Sequence, residues 1–423
     1  MAMIKKPVTG MRDILPDEME IRRYCIGVIR DTYARYGFTE IETPVVESLE
    51  NLVSDQGGEN EKLIFRILKR GEKLKLDAAK TAEDVSDSGL RYDLTVPLVR
   101  YYANHMNELP NPFKALQMGN VFRADRPQKG RFRQFMQCDI DILGEAGTIG
   151  EIECILALTS VLGKFGFQGF QVHISDRRLL HALASYCGFP EERHDAVFIT
   201  LDKLDKVGEA GVEAELKESG FAEEAIARCM ALFTGSGRAQ DARTSLELLK
   251  RFCDSIGEAE TADIRNSLTE IMESVEVAKE ADFELIFTPT LVRGMGYYTG
   301  TIFEVVMPQF GASCGGGGRY DKMIGRFGCP ETPAVGFSIG FERIIMLLME
   351  NGFRIPDAPK RVACLIEKGT GGARLTQIIK EAAAERASGA QVLVVQMNKN
   401  KKFQKEQLAQ QGYTEIREFF KNG

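Results

Sequence analysis

Residues 121–144, VFRADRPQKGRFRQFMQCDIDILG, constrain the fold more tightly than any other part of the chain. Met136, Cys138, Ile140 and Ile142 alternate with Gln137, Asp139 and Asp141. That period of two makes a half-buried β-strand with one apolar face and one face carrying an amide and two carboxylates. Upstream, Val121, Phe122 and Arg123 close an earlier run, and Pro127, Gln128, Lys129 and Gly130 punctuate a turn, so two strands flank a basic loop. A solvated outer strand gives the same alternation, but the loop adds a constraint. Arg123, Arg126, Arg131 and Arg133, with Lys129, stand beside the acidic strand. One surface can then clamp a polyanion while its neighbour holds a cationic group.

A length of 423 residues predicts two to three domains with ample core. The 44% hydrophobic and 27% charged content is that of an ordinary soluble globular protein. No uncharged apolar run approaches the roughly 20 residues that span a bilayer. MAMIKKPVTG has no apolar signal core, so no secretion address is expected. Nine cysteines without a CxxC pair speak against structural zinc and fit unpaired thiols in a reducing cytosol; the expected compartment is cytoplasmic. The net charge of -7 is no obstacle to a tRNA partner, because a local basic surface governs binding and not the sum.

Along the chain, Pro16-Asp17-Glu18 followed by Ile21, Cys25, Val28 and Ile29 predicts a helix ending near Gly37, and residues 39–43 a strand closed by Pro44. Residues 57–88 read as a short hairpin or flexible excursion, 151–165 as a helix packed on a sheet, and 171–175 as a strand. From 176 to 282, Ala-, Glu- and Lys-rich segments with glycine punctuation predict an inserted helical module. Strand pattern resumes at 283–287. Gly315, Gly316, Gly317 and Gly318 either let backbone approach a ligand or form a flexible turn. Residues 333–343 read as a strand breaking at Gly340 into a helix, and the chain from Arg361 as a small βαβαβ unit. His105, His173, His181 and His194 lack metal-ligand or triad spacing and read as structural or solvated.

The motif ending at Pro44, FRADRPQKGRFRQF and GFSIGFER together resemble the three signature motifs of class II aminoacyl-tRNA synthetases. LVRGMGYYTGTIFE and GGGGRYD resemble two signatures peculiar to histidyl-tRNA synthetases, and the five motifs stand in family order across residues 10–348. The resemblance implies an α+β fold: a catalytic core of antiparallel sheet flanked by helices, a helical insertion, and a small α/β domain similar to the anticodon-binding domain. The implied boundaries are 1–175 and 283–350 for the two parts of the core, 176–282 for the insertion, and 359–423 for a shortened C-terminal domain lacking the family's final elements. Gly296 stands where the family usually has an aspartate. Regulatory subunits of ATP phosphoribosyltransferase share the fold but typically lack the signature arginine and the anticodon domain, whereas this chain keeps both.

The implied activity joins L-histidine to tRNA(His) through an adenylate made from ATP, with Mg2+ on the outer phosphates, in a C2 homodimer. Arg123 and Arg293 would be the catalytic cations beside the reacting oxygens, and Arg343 would hold the γ-phosphate. Phe135 would stack on adenine, with Asp125, Arg131 and Arg133 as further ATP contacts. Asp93, Thr95 and Gln137 would meet the α-amino group of histidine. Asp141 and Tyr298 would bracket the imidazole, with Tyr297, Tyr320 and Arg293 in the same pocket. The family often has glutamate at the positions of Asp93 and Asp141.

Overall fold

The computed structural model describes residues 3–53, 59–128, 130–234, 239–292, 296–307 and 311–421. The chain divides into two compact units: Met1–Ile14 with Cys25–Asn351, and Leu15–Tyr24 with Gly352–Gly423. In chain order the strands of the first unit are β1 (Thr39–Ile41), β2 (Val46–Ser48), β3 (Arg66–Leu68), β4 (Ser86–Leu90), β5 (Phe113–Phe122), β6 (Gln134–Leu143), β7 (Phe170–Asp176), β8 (Phe283–Phe287), β9 (Thr301–Met307), β10 (Ala312–Arg319) and β11 (Ala334–Ile339).

Among the described residues, eight of these strands form one sheet in the order β1-β5-β6-β11-β10-β9-β7-β8. Its inner pairs are antiparallel, and the edge pairs β1–β5 and β7–β8 are parallel. β6 is an inner strand, hydrogen-bonded to β5 on one side and to β11 on the other. This overturns the solvated reading of its polar face. Cys138 and Ile140 are fully buried on one side, and Asp139 and Asp141 are only 4% and 3% exposed on the other.

The apolar face of β6 is covered by helices whose stripes repeat at helical spacing. In Ile149–Lys164, Cys154, Ile155, Leu158, Val161 and Leu162 are all fully buried. Each such aliphatic contributes about 1.5–3 kcal/mol relative to exposure. In Pro16–Arg35, Cys25, Ile29 and Tyr33 make a stripe four residues apart, while Asp17 and Glu18 in the first turn and Arg35 in the last suit the helix dipole. The expected excursion at 57–88 contributes β3 and β4 to a separate sheet ordered β2-β4-β3; residues 54–58 lie outside the described set.

The described residues between Arg177 and Ala278 are mostly helical, in the order Arg177–Cys187, His194–Leu201, Leu204–Glu218, Glu223–Thr234, Ala242–Ile256 and Glu258–Ala278. The module is anchored by Ala242–Ile256, whose buried Ser245 accepts a hydrogen bond from Phe287 N on β8 at 3.1 Å. The four glycines form no turn. They lie extended in β10, between β9 and β11.

The second unit holds β12 (Arg361–Ile366), β13 (Gln391–Gln396) and β14 (Glu415–Phe419), all parallel in the order β13-β12-β14, with helices Gly372–Ala387 and Lys401–Gln410 between them. This is the βαβαβ pattern read from the sequence. Its core is built on Ala363, Leu365 and Leu408, and Arg361 pairs with Glu20 of the helix Pro16–Arg35.

Candidate active site

A cavity of about 970 Å³ opens over the polar face of the main sheet, floored by β6, β10 and β11. Of the residues singled out from the sequence, Asp93, Thr95, Arg123, Asp125, Arg131, Phe135, Gln137, Asp141, Tyr297, Tyr298, Tyr320 and Arg343 all line it. Segments as far apart in sequence as Asp93 and Arg343 therefore converge on one space. Arg133 is not in the lining: its Nε donates to Asp125 O at 3.0 Å and its Nη1 to Thr9 O at 3.3 Å, tying the basic loop to the N-terminal segment. Arg293 and Lys129 lie outside the described residues.

One end of the cavity is acidic. Alternation along β6 points Gln137, Asp139 and Asp141 into it, and Asp93 joins them from the start of the helix Thr95–His105. Asp93 Oδ1 accepts from Val96 N at 3.1 Å, so the same side chain also caps that helix. Tyr320 Oη donates to Asp141 Oδ1 at 2.5 Å. Burial raises the pKa of Asp93. Burial, followed by the charge of Asp139, raises Asp141 well above the usual carboxylate range despite the bond from Tyr320. Asp139 is pushed up to about 7, first by burial and then by Asp93, with Ser338 and Gln137 acting the other way. Burial also raises Tyr297 and Tyr320 well above the ordinary phenol. A pocket that makes three carboxylates costly to ionise is one in which an arriving cation gains most.

The other end is cationic and aromatic. Arg123 lies over the rings of Tyr92 at 4.2 Å and Phe135 at 5.1 Å, and its Nε donates to Tyr92 O at 3.1 Å. Stacking and one backbone bond hold this guanidinium in place, with no carboxylate among the described residues paired to it to cancel its charge. Arg343 stands in the first turn of Phe341–Glu350 and donates to Ser313 O of β10. The positive end of that helix opens beside it. Glu342 accepts from Met136 N at 3.1 Å and from Arg12 Nη2 at 3.0 Å, which fastens helix, strand and N-terminal segment together.

The family model for histidyl-tRNA synthetase matches residues 10–344. The chain belongs to the histidyl-tRNA synthetase family. A histidine–tRNA ligase of Leifsonia xyli is 43% identical over 422 residues, covering 96% of this chain and 93% of that protein. A probable histidine–tRNA ligase of Tropheryma whipplei is 40% identical over 349 residues, covering 82% of this chain and 80% of that one. A crystal structure of histidyl-tRNA synthetase from Nostoc superposes with a TM-score of 0.78 at 26% identity, over 97% of this chain and 90% of that chain.

The cavity also holds residues that the sequence reading did not assign to the site. Asp139 carries the same alternation as Gln137 and Asp141, so spacing puts it on their face of the strand, and the structure puts that face in the cavity. Ser338, directly opposite Asp139 on β11, stands inside GFSIGFER, but nothing in that motif announces its partner. His173, read as structural or solvated, is half-buried and lines the cavity, with Nδ1 2.7 Å from Thr288 Oγ1 and Nε2 3.2 Å from Gln171 Oε1. No signal in the sequence ties it to Thr288.

Proposed function

We infer that this chain is a ligase that activates histidine with ATP and transfers it to tRNA. The observation that carries the reading is a single cavity with carboxylates at one end and arginines at the other. Histidine brings an ammonium and an imidazole for the acidic end and a carboxylate that must reach the α-phosphate at the basic end. Attack by a carboxylate on a phosphate forces like charges together, so fixed guanidinium groups lower the barrier. In this reading Arg123 holds the α-phosphate and the histidine carboxylate, Arg343 the γ-phosphate, and Phe135 the adenine, with Asp125 and Arg131 nearby. Arg293 is assigned to the reacting oxygen by its place in the family signature.

Gln137, Asp93 and Thr95 are assigned to the α-ammonium. Support comes from Gln137 Oε1, a buried acceptor without a hydrogen-bond partner among the described residues. Such an atom costs about 1–3 kcal/mol unless a ligand supplies the donor. Asp141 and Tyr298 are assigned to the imidazole, beside Tyr297 and Tyr320. A pocket whose polar groups all require partners rejects side chains that leave them unpaired.

Mg2+ is assigned to the nucleotide phosphates. Among the described residues no group of three or more His, Cys, Asp or Glu side chains is placed to hold a metal. Residues 176–282 are proposed as an inserted module and 359–423 as the domain that grips tRNA(His), in a cytoplasmic C2 homodimer paired through the helix at Pro16 and the strand ending at Pro44. Light scattering giving a monomer mass at micromolar protein would rule the dimer out. No helix of the described residues is long and apolar enough to cross a membrane.

The deciding experiment is histidine-dependent exchange of pyrophosphate into ATP. Robust exchange supports the ligase. Its absence in folded protein points to a regulatory paralogue that binds histidine without charging tRNA.

A further inference from the structure

An amide side chain has a donating end and an accepting end, and the end that faces a ligand is decided by what the other end meets. Gln137 Nε2 lies 3.0 Å from Asp139 Oδ2, 3.3 Å from Asp139 Oδ1 and 3.3 Å from Ser338 Oγ. Ser338 Oγ in turn donates to Asp139 Oδ1. The three groups form a directed triangle. Ser338 spends its one proton on the carboxylate, so toward Gln137 it can only accept, and an ionised Asp139 can only accept. Both neighbours therefore demand the NH2 group, and Oε1 is left turned away from them, buried and unpartnered among the described residues.

We propose that Asp139, together with Ser338, is a positioning residue that fixes the amide of Gln137 with its oxygen toward the substrate's α-ammonium. The proposal rests on the assignment of Gln137 to that ammonium. Asp139 is 4% exposed and sits on β6 directly opposite Ser338 of β11, so β-ladder register holds the pair in place. Replacing the carboxylate by an amide removes the direction. In Asp139→Asn the new side chain would offer an NH2 of its own, which could bond Oε1 and let Gln137 turn over, presenting a donor to a cation. Protonation of Asp139 acts in the same sense, and its raised pKa makes the neutral form accessible near pH 7 in the absence of ligand. The titratable and charged groups that act on Asp139 are the carboxylates of Asp93 and Asp141, the guanidinium groups of Arg91 and Arg123, and the buried phenol of Tyr33 on the helix Pro16–Arg35. An arriving ammonium would favour the ionised form and thus the productive amide.

The test compares histidine with imidazolepropionate, which keeps the imidazole and carboxylate but lacks the α-amino group, as substrate and competitive inhibitor of pyrophosphate exchange by the full-length chain. Asp139→Asn is expected to weaken histidine by roughly 10- to 100-fold, the worth of a hydrogen bond to a charged group, while leaving imidazolepropionate nearly unchanged. Ser338→Ala should move histidine in the same direction by less. In a Gln137→Ala background, Asp139→Asn should have no further effect on the ratio of the two ligands.

Equal weakening of both ligands would show a structural role and overturn the proposal, as would a further loss in the Gln137→Ala background, which would mean direct contact. If Gln137→Ala shifts the ratio but Asp139→Asn does not, the positioning role fails alone. If Gln137→Ala leaves the ratio unchanged, the assignment of Gln137 fails and the positioning role falls with it. Unchanged imidazolepropionate binding also certifies that each variant is folded.

Discussion

Gly336→Ala tests how closely β11 lies against the acidic end of the cavity. A Cβ built at Gly336 falls 1.9 Å from Asp141 Oδ1, 2.8 Å from its Cγ and 3.2 Å from Ile140 O. Carbon and oxygen approach no closer than about 3.3 Å even in favourable contacts, so the carboxylate must retreat by roughly 1.4 Å. The oxygen displaced is the one that receives the hydroxyl of Tyr320, and with Asp141 3% and Tyr320 2% exposed there is no bulk water to replace the lost bond. The hydrogen bond accounts for about 1–3 kcal/mol and the overpacking for about 1–3 more, so an expected destabilisation of roughly 2–6 kcal/mol follows. Because Asp141 is assigned to the imidazole, a shift on this scale should also raise the histidine KM by about 10²-fold. Denaturant midpoints and the histidine dependence of pyrophosphate exchange measure the two effects. Gly27→Ala is the control: nothing lies within 4 Å of its Cβ, it stands inside the helix Pro16–Arg35, and it should be neutral or stabilising by up to about 1 kcal/mol. A Gly336→Ala protein with the parent's midpoint and KM would refute the geometry.

Asp139, pushed up to about 7 by burial, keeps in the folded state a proton that the unfolded chain loses near its ordinary value of 3.8. Its stabilising contribution is therefore full in acid and lost as pH rises toward 7, at no more than about 1.4 kcal/mol per pH unit. Asp139→Asn should flatten that part of the slope in denaturant melts between pH 4 and 8, leaving the parts due to Asp93 and Asp141; superimposable slopes would contradict it. Arg293→Ala should lower turnover by orders of magnitude with a histidine KM changed only modestly, and equal loss of both would assign it to ground-state binding instead. Removing residues 359–423 should leave pyrophosphate exchange largely intact, since every residue assigned to adenylation lies upstream, while tRNA charging falls severely and its salt dependence flattens. Unchanged charging would deny that unit a role in gripping tRNA.

The fold was legible wherever a pattern had one physical reading. The βαβαβ unit from Arg361 onward was read element by element because each strand is a short apolar run bounded by turn residues, and parallel pairing needs the intervening helices. The glycine run was ambiguous because glycine serves both freedom and proximity. Only the neighbours decide between them: a Cβ at Gly317 would lie 1.9 Å from Gly336 O, so β10 and β11 approach more closely than side chains permit. That distance is a property of two strands, and no single stretch of sequence contains it.

The candidate site divides along the same line. Periodicity put Gln137, Asp139 and Asp141 on one face, and motif resemblance gathered residues from Asp93 to Arg343 into one cavity. Periodicity could not say that this face is buried, because alternation is identical for a wet outer strand and for an inner strand flooring a cavity. The difference lies in chemistry. On a wet strand the two aspartates would be ordinary carboxylates; between β5 and β11 burial raises both, and the bonds from Ser338 and Tyr320 are what make their ionised forms tolerable. Arg133 shows the converse. Four arginines of the basic loop looked equivalent in sequence, yet Arg133 spends its guanidinium on the carbonyls of Asp125 and Thr9, while Arg123 is held by two aromatic faces and keeps its charge for the cavity. Arg133 commits donors at two of its nitrogens to carbonyls and stays out of the cavity lining, whereas Arg123 commits only Nε to a carbonyl and lies against two ring faces, which fix its plane and leave its other donors for oxygens.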